Sequence, residues 1–217
     1  MASQATPRWR RRKEARPTEI VEAALACFAA KGFAATRLDD IAARAGITRG
    51  TLYLYFPSKE ELFKEVVRLA IVPMLAVREQ ESARDDQPVA EQLKRFILSF
   101  PKSLSASPVG SPVPAIPKII VAESQNFPEL AEFYFNEVLS RARRHLTSLL
   151  RRGVKRGEFR KIDVDHVFFS VVGPIVASVL WRSIFGRFDP NAPDIVAVCR
   201  AHAELLVRGL APDGVAP

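Results

Sequence analysis

Apolar residues recur at helical spacing along almost the whole chain. Ile20, Ala23, Ala24, Cys27 and Phe28 form one stripe, which predicts a helix capped by Thr18, running to Lys31 and stopped by Gly32. Thr36-Arg37-Leu38-Asp39 resembles a capping box and opens a short helix ending at Gly46. Thr48 starts another, through about Tyr55. In Pro57-Ser58-Lys59-Glu60-Glu61, Ser58 is the N-cap and Glu61 reaches back from N3, so a fourth helix runs to about Ile71, ahead of Pro73. Segments at 73–83, 88–104, 114–124, 128–153, 163–186 and 192–209 keep the same period. Ser105–Pro117, with prolines at 108, 112, 114 and 117, is expected to be a mobile loop. No segment alternates convincingly with period two and no internal repeat is visible, so the fold class is all-α.

Within that pattern, residues 36–56 have the layout of a helix-turn-helix, two short helices joined by a glycine-bearing turn. Leu38, Ile41, Ala42, Ala45, Ile47 and Leu52 supply the inner face, and the two alanines are small enough for close crossing. On a wheel of about 100° per residue, Gly50 lies about 200° from Leu52, so the outward face is bare there. A bare position lets backbone approach a groove wall or a phosphate. Thr51 and Tyr53 fall to either side and can carry hydroxyls outward. Arg49 lies within about 60° of Leu52 and meets a base edge only by leaving the helix start and snorkelling outward. Lys59 places a cation in a helix's first turn, against the dipole, which hints at a bound anion.

Charge sharpens this. The chain of 217 residues carries a net +8, and residues 1–17 hold six basic side chains against Glu14. Such an arm ahead of a neutral block suits a polyanion, either nucleic acid or an anionic membrane surface. It is expected to be disordered. The longest apolar run, Val167 to Trp181, is 15 residues and contains Gly173 and Pro174. A membrane span needs about 20, so this run is expected to be a core helix. Two cysteines, Cys27 and Cys199, are too few for a disulfide framework and fit a reducing cytosol. With no apolar stretch behind the N-terminal charges, no secretory signal is expected, and the chain is expected to be soluble and cytoplasmic.

The ordered stretch Ala24-Leu25-Ala26-Cys27-Phe28-Ala29-Ala30-Lys31-Gly32-Phe33, Thr36, Asp40-Ile41-Ala42, Ala45-Gly46-Ile47-Thr48, Gly50-Thr51-Leu52-Tyr53-Leu54-Tyr55-Phe56 and Lys59-Glu60-Glu61-Leu62 resembles the amino-terminal domain of TetR-type (TetR/AcrR) transcriptional regulators. The likeness covers residues 18–64. It implies an all-helical homodimer, usually a repressor, that sets its recognition helices in the major groove of a palindromic operator on double-stranded DNA. A small ligand in the larger domain would alter the spacing of the two heads. By position the recognition helix falls on Thr48 to Tyr55, base-edge contacts on Arg49, Gly50 and Thr51, and phosphate contacts on Thr36, Tyr53, Tyr55 and Lys59. The arm at 8–16 is expected to reach into a neighbouring minor groove.

Three parts follow: a basic arm at 1–17, a helix-turn-helix domain at 18–64, and a helical effector-binding and dimerisation domain at 65–211. Asp163 to Arg187 is apolar on most sides and must be buried on several. With the stripe Ile195, Val198, Cys199, His202, Leu205 and Leu206 it suits a four-helix interface between two subunits. Candidate walls for the effector are Phe96, Phe100, Ile119, Phe135, Val138, Ile175 and Trp181. The uncharged stretch 167–181 favours a neutral or lipophilic compound. A second basic cluster at 141–161 has nine basic residues against Glu158 and is ordinarily a solvated surface. Nothing points to an enzyme. His145, His166 and His202 lie on separate helices without metal-ligand spacing, and no Gly-rich phosphate loop occurs, so neither metal nor cofactor is expected. The alternative is a basic helical protein that binds anionic membranes or protein partners. Trp9 is the arm's sole apolar anchor, which is weak for an interfacial helix.

Overall fold

A computed structural model describes residues 8–83, 86–105 and 115–212. Those residues are helical, with no strand among them. Four helices make up the first part of the chain: α1 (Arg8–Lys31), α2 (Leu38–Arg44), α3 (Arg49–Tyr55) and α4 (Lys59–Ala70). The larger part holds α5 (Val72–Ala83), α6 (Val89–Ser105), α7 (Ala115–Glu123), α8 (Pro128–Tyr134), α9 (Ser140–Lys155), α10 (Val164–Phe185) and α11 (Ile195–Leu210). A π-helical turn, Phe135–Leu139, joins α8 to α9 without a break.

The N-terminus corrects two expectations. Thr18 does not cap α1, which begins at Arg8 and passes through Pro17. The arm therefore is not wholly disordered: its 8–17 backbone is helical, because Arg, Lys, Glu and Ala are strong helix formers and Pro17 keeps a helical φ. Residues 1–7 lie outside the described ones, as do the side chains of 8–16. Most of the proline-rich Ser105–Pro117 stretch is outside them too, but Pro117 sits in the first turn of α7, where a proline costs no hydrogen bond.

Two cores hold the molecule. The first joins α1–α5 to α7, α8 and the π turn, so packing runs straight across the expected border at residues 64 and 65. Phe28, Phe33 and Phe63 meet pairwise with ring centroids 5.5 Å apart. Phe127, just ahead of α8, packs edge-on against Phe33 at 4.9 Å. The second core joins α6, α9, α10 and α11 around Leu93, Ile97, Leu146, Leu150, Val171 and Cys199.

The apolar run near 167–181 extends at both ends into the 22-residue α10, which is long and apolar enough to cross a membrane. The expectation from the 15-residue run was therefore too short. Within one chain α10 buries a single side, through Phe168, Val171, Ile175, Ser178 and Val179, while Phe169, Val176, Trp181, Ile184 and Phe185 stay exposed on the side expected to meet a partner subunit.

Candidate nucleic-acid interface

Local chemistry builds the turn between α2 and α3. Gly46 has φ +63°, a left-handed conformation that side-chain-bearing residues adopt at a cost. Its amide donates to the Ala43 carbonyl at 3.2 Å, and the Ile47 amide donates to Ala42 at 3.0 Å. This paired closure is a Schellman ending, and Ile47 packs on the first core as that motif prefers. Thr48 then caps α3, its hydroxyl oxygen accepting from the Thr51 amide at 3.1 Å. Fully buried Leu52 anchors α3, which fixes the side that faces outward.

That outward side carries Gly50 and, one turn later, Leu54. Gly50 is exposed, and a Cβ built on it would meet only the Thr48 hydroxyl, at 3.9 Å. Leu54 is 84% exposed, the most open large apolar residue of the described chain. The ridge is thus bare only in its first turn. A spacing of four residues from Gly50 was the signal that could have singled out Leu54.

Arg49 lies at the surface, clear of the interior side suggested by its wheel angle. Its guanidinium donates to Asp39 of α2 at 3.1 Å and to the Tyr53 hydroxyl at 3.2 Å. Both charges of the Arg49–Asp39 pair are more than half exposed, so water screens it and a stronger partner can capture the guanidinium. From sequence Asp39 was read only as part of a capping box, not as a partner of Arg49. Tyr53 is 42% exposed, while Tyr55 is half-buried against the first core.

Two phosphate candidates are committed elsewhere. Thr36 neither caps α2 nor faces solvent. It is 2% exposed, and its hydroxyl donates to the carbonyls of Gly32 at 2.6 Å and Cys27 at 3.2 Å. The N-cap is Arg37, whose amide donates to Asp40 at 3.4 Å. The Lys59 ammonium donates to the carbonyls of Phe33, Ala34 and Thr36, at 2.9, 3.1 and 3.1 Å. All three of its protons go to the α1–α2 turn. That explains a cation in the first turn of α4 without any bound anion.

The expected effector walls divide between the two cores and the surface. Ile119 and Val138 belong to the first core, and Phe96, Phe100 and Ile175 to the second. Phe135 and Trp181 are at the surface, the indole donating to Asp189 at 2.9 Å. A helical stripe marks burial but does not say which core receives it. No group of three or more His, Cys, Asp or Glu side chains suited to a metal occurs among the described residues.

Comparison with known proteins matches both halves of the chain. The family model described as "Bacterial regulatory proteins, tetR family" matches residues 20–66, and "Tetracyclin repressor-like, C-terminal domain" matches 83–208. The chain is 30% identical to the HTH-type transcriptional repressor KstR2 of Mycolicibacterium smegmatis, over 82% of each chain. It is 30% identical to the fatty acid metabolism regulator protein of Bacillus subtilis, over 91% of this chain and 98% of that one. The solved ketosteroid transcriptional regulator KstR2 of Mycobacterium tuberculosis superposes with a TM-score of 0.69 at 26% identity, covering 91% and 96% of the two chains.

Proposed function

Because this chain belongs to the tetR family of bacterial regulatory proteins, and is thereby a ligand-responsive DNA-binding regulator of transcription, we propose that it holds a palindromic operator as a homodimer and releases it when a small lipophilic ligand binds. The outward Gly50 of α3 carries this reading. A helix anchored by buried Leu52 and lacking a side chain opposite can bring its backbone against a duplex. Arg49 and Thr51 then reach base edges, with Thr48 beside them, and the Tyr53 and Tyr55 hydroxyls meet phosphates on either side. Thr36 and Lys59 support the reading head from within.

A second copy of the chain is the natural cover for the apolar residues that α10 and α11 leave in water, Phe169, Val176, Trp181, Phe185 and Leu205. Since α10 already packs through Val171 and Ile175 into the second core, a dimer face suits it better than a membrane span. Repression and a lipophilic effector are supported by the relatives, two of which are named for repression and for fatty acid metabolism. A regulator that acts on DNA is expected in the cytoplasm, at the nucleoid when bound.

Selection of bound fragments from random DNA by the purified protein tests this. A two-fold palindrome is expected, since it reports both base preference and dimer symmetry. Recovery without any enriched motif overturns the operator, and a single unrepeated half-site overturns the dimer.

A further inference from the structure

A single exposed leucine is ordinary on a protein surface, but the place of Leu54 is not. It stands 84% exposed on α3, on the side of the helix away from fully buried Leu52. Four positions separate it from Gly50, so the two share one ridge, with about 6 Å of rise between them. Gly50 has open space above it and lets the first turn of that ridge come close to a duplex. Leu54 is then the side chain that the next turn of the ridge brings to the DNA.

The polar groups of α3 are drawn off to its flanks. Arg49 donates to Asp39 of α2 at 3.1 Å and to the Tyr53 hydroxyl at 3.2 Å, and its guanidinium lies 5.5 Å from the centre of the Tyr53 ring. These contacts lean Arg49 and Tyr53 toward α2. The hydroxyls of Thr48 and Thr51 bond one another at 2.9 Å. Tyr55 is half-buried against the first core. What stands clear between them is a branched apolar tip.

The major groove offers such a tip one partner. Adenine, guanine and cytosine present hydrogen-bonding nitrogens and oxygens there, whereas thymine adds a C5-methyl group. Leucine seated on a donor or acceptor strips water from it without replacing the bond. Seated on a methyl, it takes two apolar surfaces out of water together. We propose that Leu54 is a specificity-determining residue that reads the C5-methyl of a thymine, one helical turn along α3 from the close approach at Gly50. The inference rests on the operator reading given above, and it adds a base contact made without any hydrogen bond. Leu54 and Arg49 therefore select different base pairs.

The test uses operator DNA recovered by fragment selection and resynthesised with uracil for thymine, one position at a time. Uracil keeps the base pairing and both carbonyls and lacks only the methyl. Titrated with the full-length protein, one position in each half-site is expected to lose about three- to fivefold per half-site, the worth of one buried methyl group. Leu54→Ala should bind the thymine and uracil operators equally at that position. Leu54→Met, which keeps an apolar tip, should retain most of the difference. Both variants should melt with the wild-type chain, because the side chain lies almost wholly in water. A scan with no methyl-sensitive position overturns the proposal. So does a sensitivity that survives Leu54→Ala unchanged, which would give the methyl to another side chain. An enriched operator that ignores the methyl sinks only the role of Leu54, whereas failure to enrich any fragment sinks the regulator reading and this proposal with it.

Discussion

The Glu123 carboxylate, at the last residue of α7, accepts a hydrogen bond from the Ala34 amide at 3.0 Å, across 89 residues of sequence. Ala34 lies in the turn whose carbonyls Lys59 holds, and Phe127 packs beside it on Phe33. Beyond the shared first core, the larger domain thus meets this turn of the reading head through a polar and an aromatic contact. Glu123→Ala is expected to speed amide exchange at Ala34 while leaving the α3 amides unchanged. Equal acceleration across α3 would mean that the contact stabilises the whole head instead of one turn.

Gly50 separates folding from DNA binding. Its Cβ has space, so Gly50→Ala should hold or raise stability by about 0.5–1 kcal/mol, as alanine does in a helix. Operator affinity should fall, because the added methyl stands between α3 and the duplex. Thermal melting and a gel-shift titration on the same variant check both halves.

Lys59→Met should act through the fold. It removes a cation that serves three carbonyls, and a loss of about 1–3 kcal/mol is expected in denaturant unfolding. An unchanged midpoint with weakened DNA binding would return Lys59 to the phosphate role.

Arg49 and Tyr53 should couple. Arg49→Ala is expected to relax one operator base pair by about 1–3 kcal/mol, and Tyr53→Phe to weaken all sequences alike. Since the Arg49 guanidinium donates to the Tyr53 hydroxyl, the double variant should lose less than the two single losses combined. Strict additivity in a binding cycle would show that the contact has no part in the complex.

Gly153 is a packing position in α9. A methyl there would collide with the buried Phe159 ring, so Gly153→Ala should cost about 1–3 kcal/mol. Gly209→Ala, with open space around it, should be neutral or stabilising in the same melt.

The sequence alone determined the helices and the order of the reading head, because caps, glycines and a 3.6-residue period are local signals. Ser58 caps α4 as expected, although the Glu61 carboxylate turns to Lys64 instead of reaching back, and Gly46 turns the chain where glycine is at ease. Only the tertiary structure decided what each polar group is for. Thr36 and Lys59 were legible as a hydroxyl and a cation near a helix start, but their acceptors are carbonyls of a turn up to 26 residues away. Burial likewise divided the apolar stripes between two cores. A stripe or a charge run states how a helix is sided. Which neighbour meets that side depends on contacts between residues far apart in sequence.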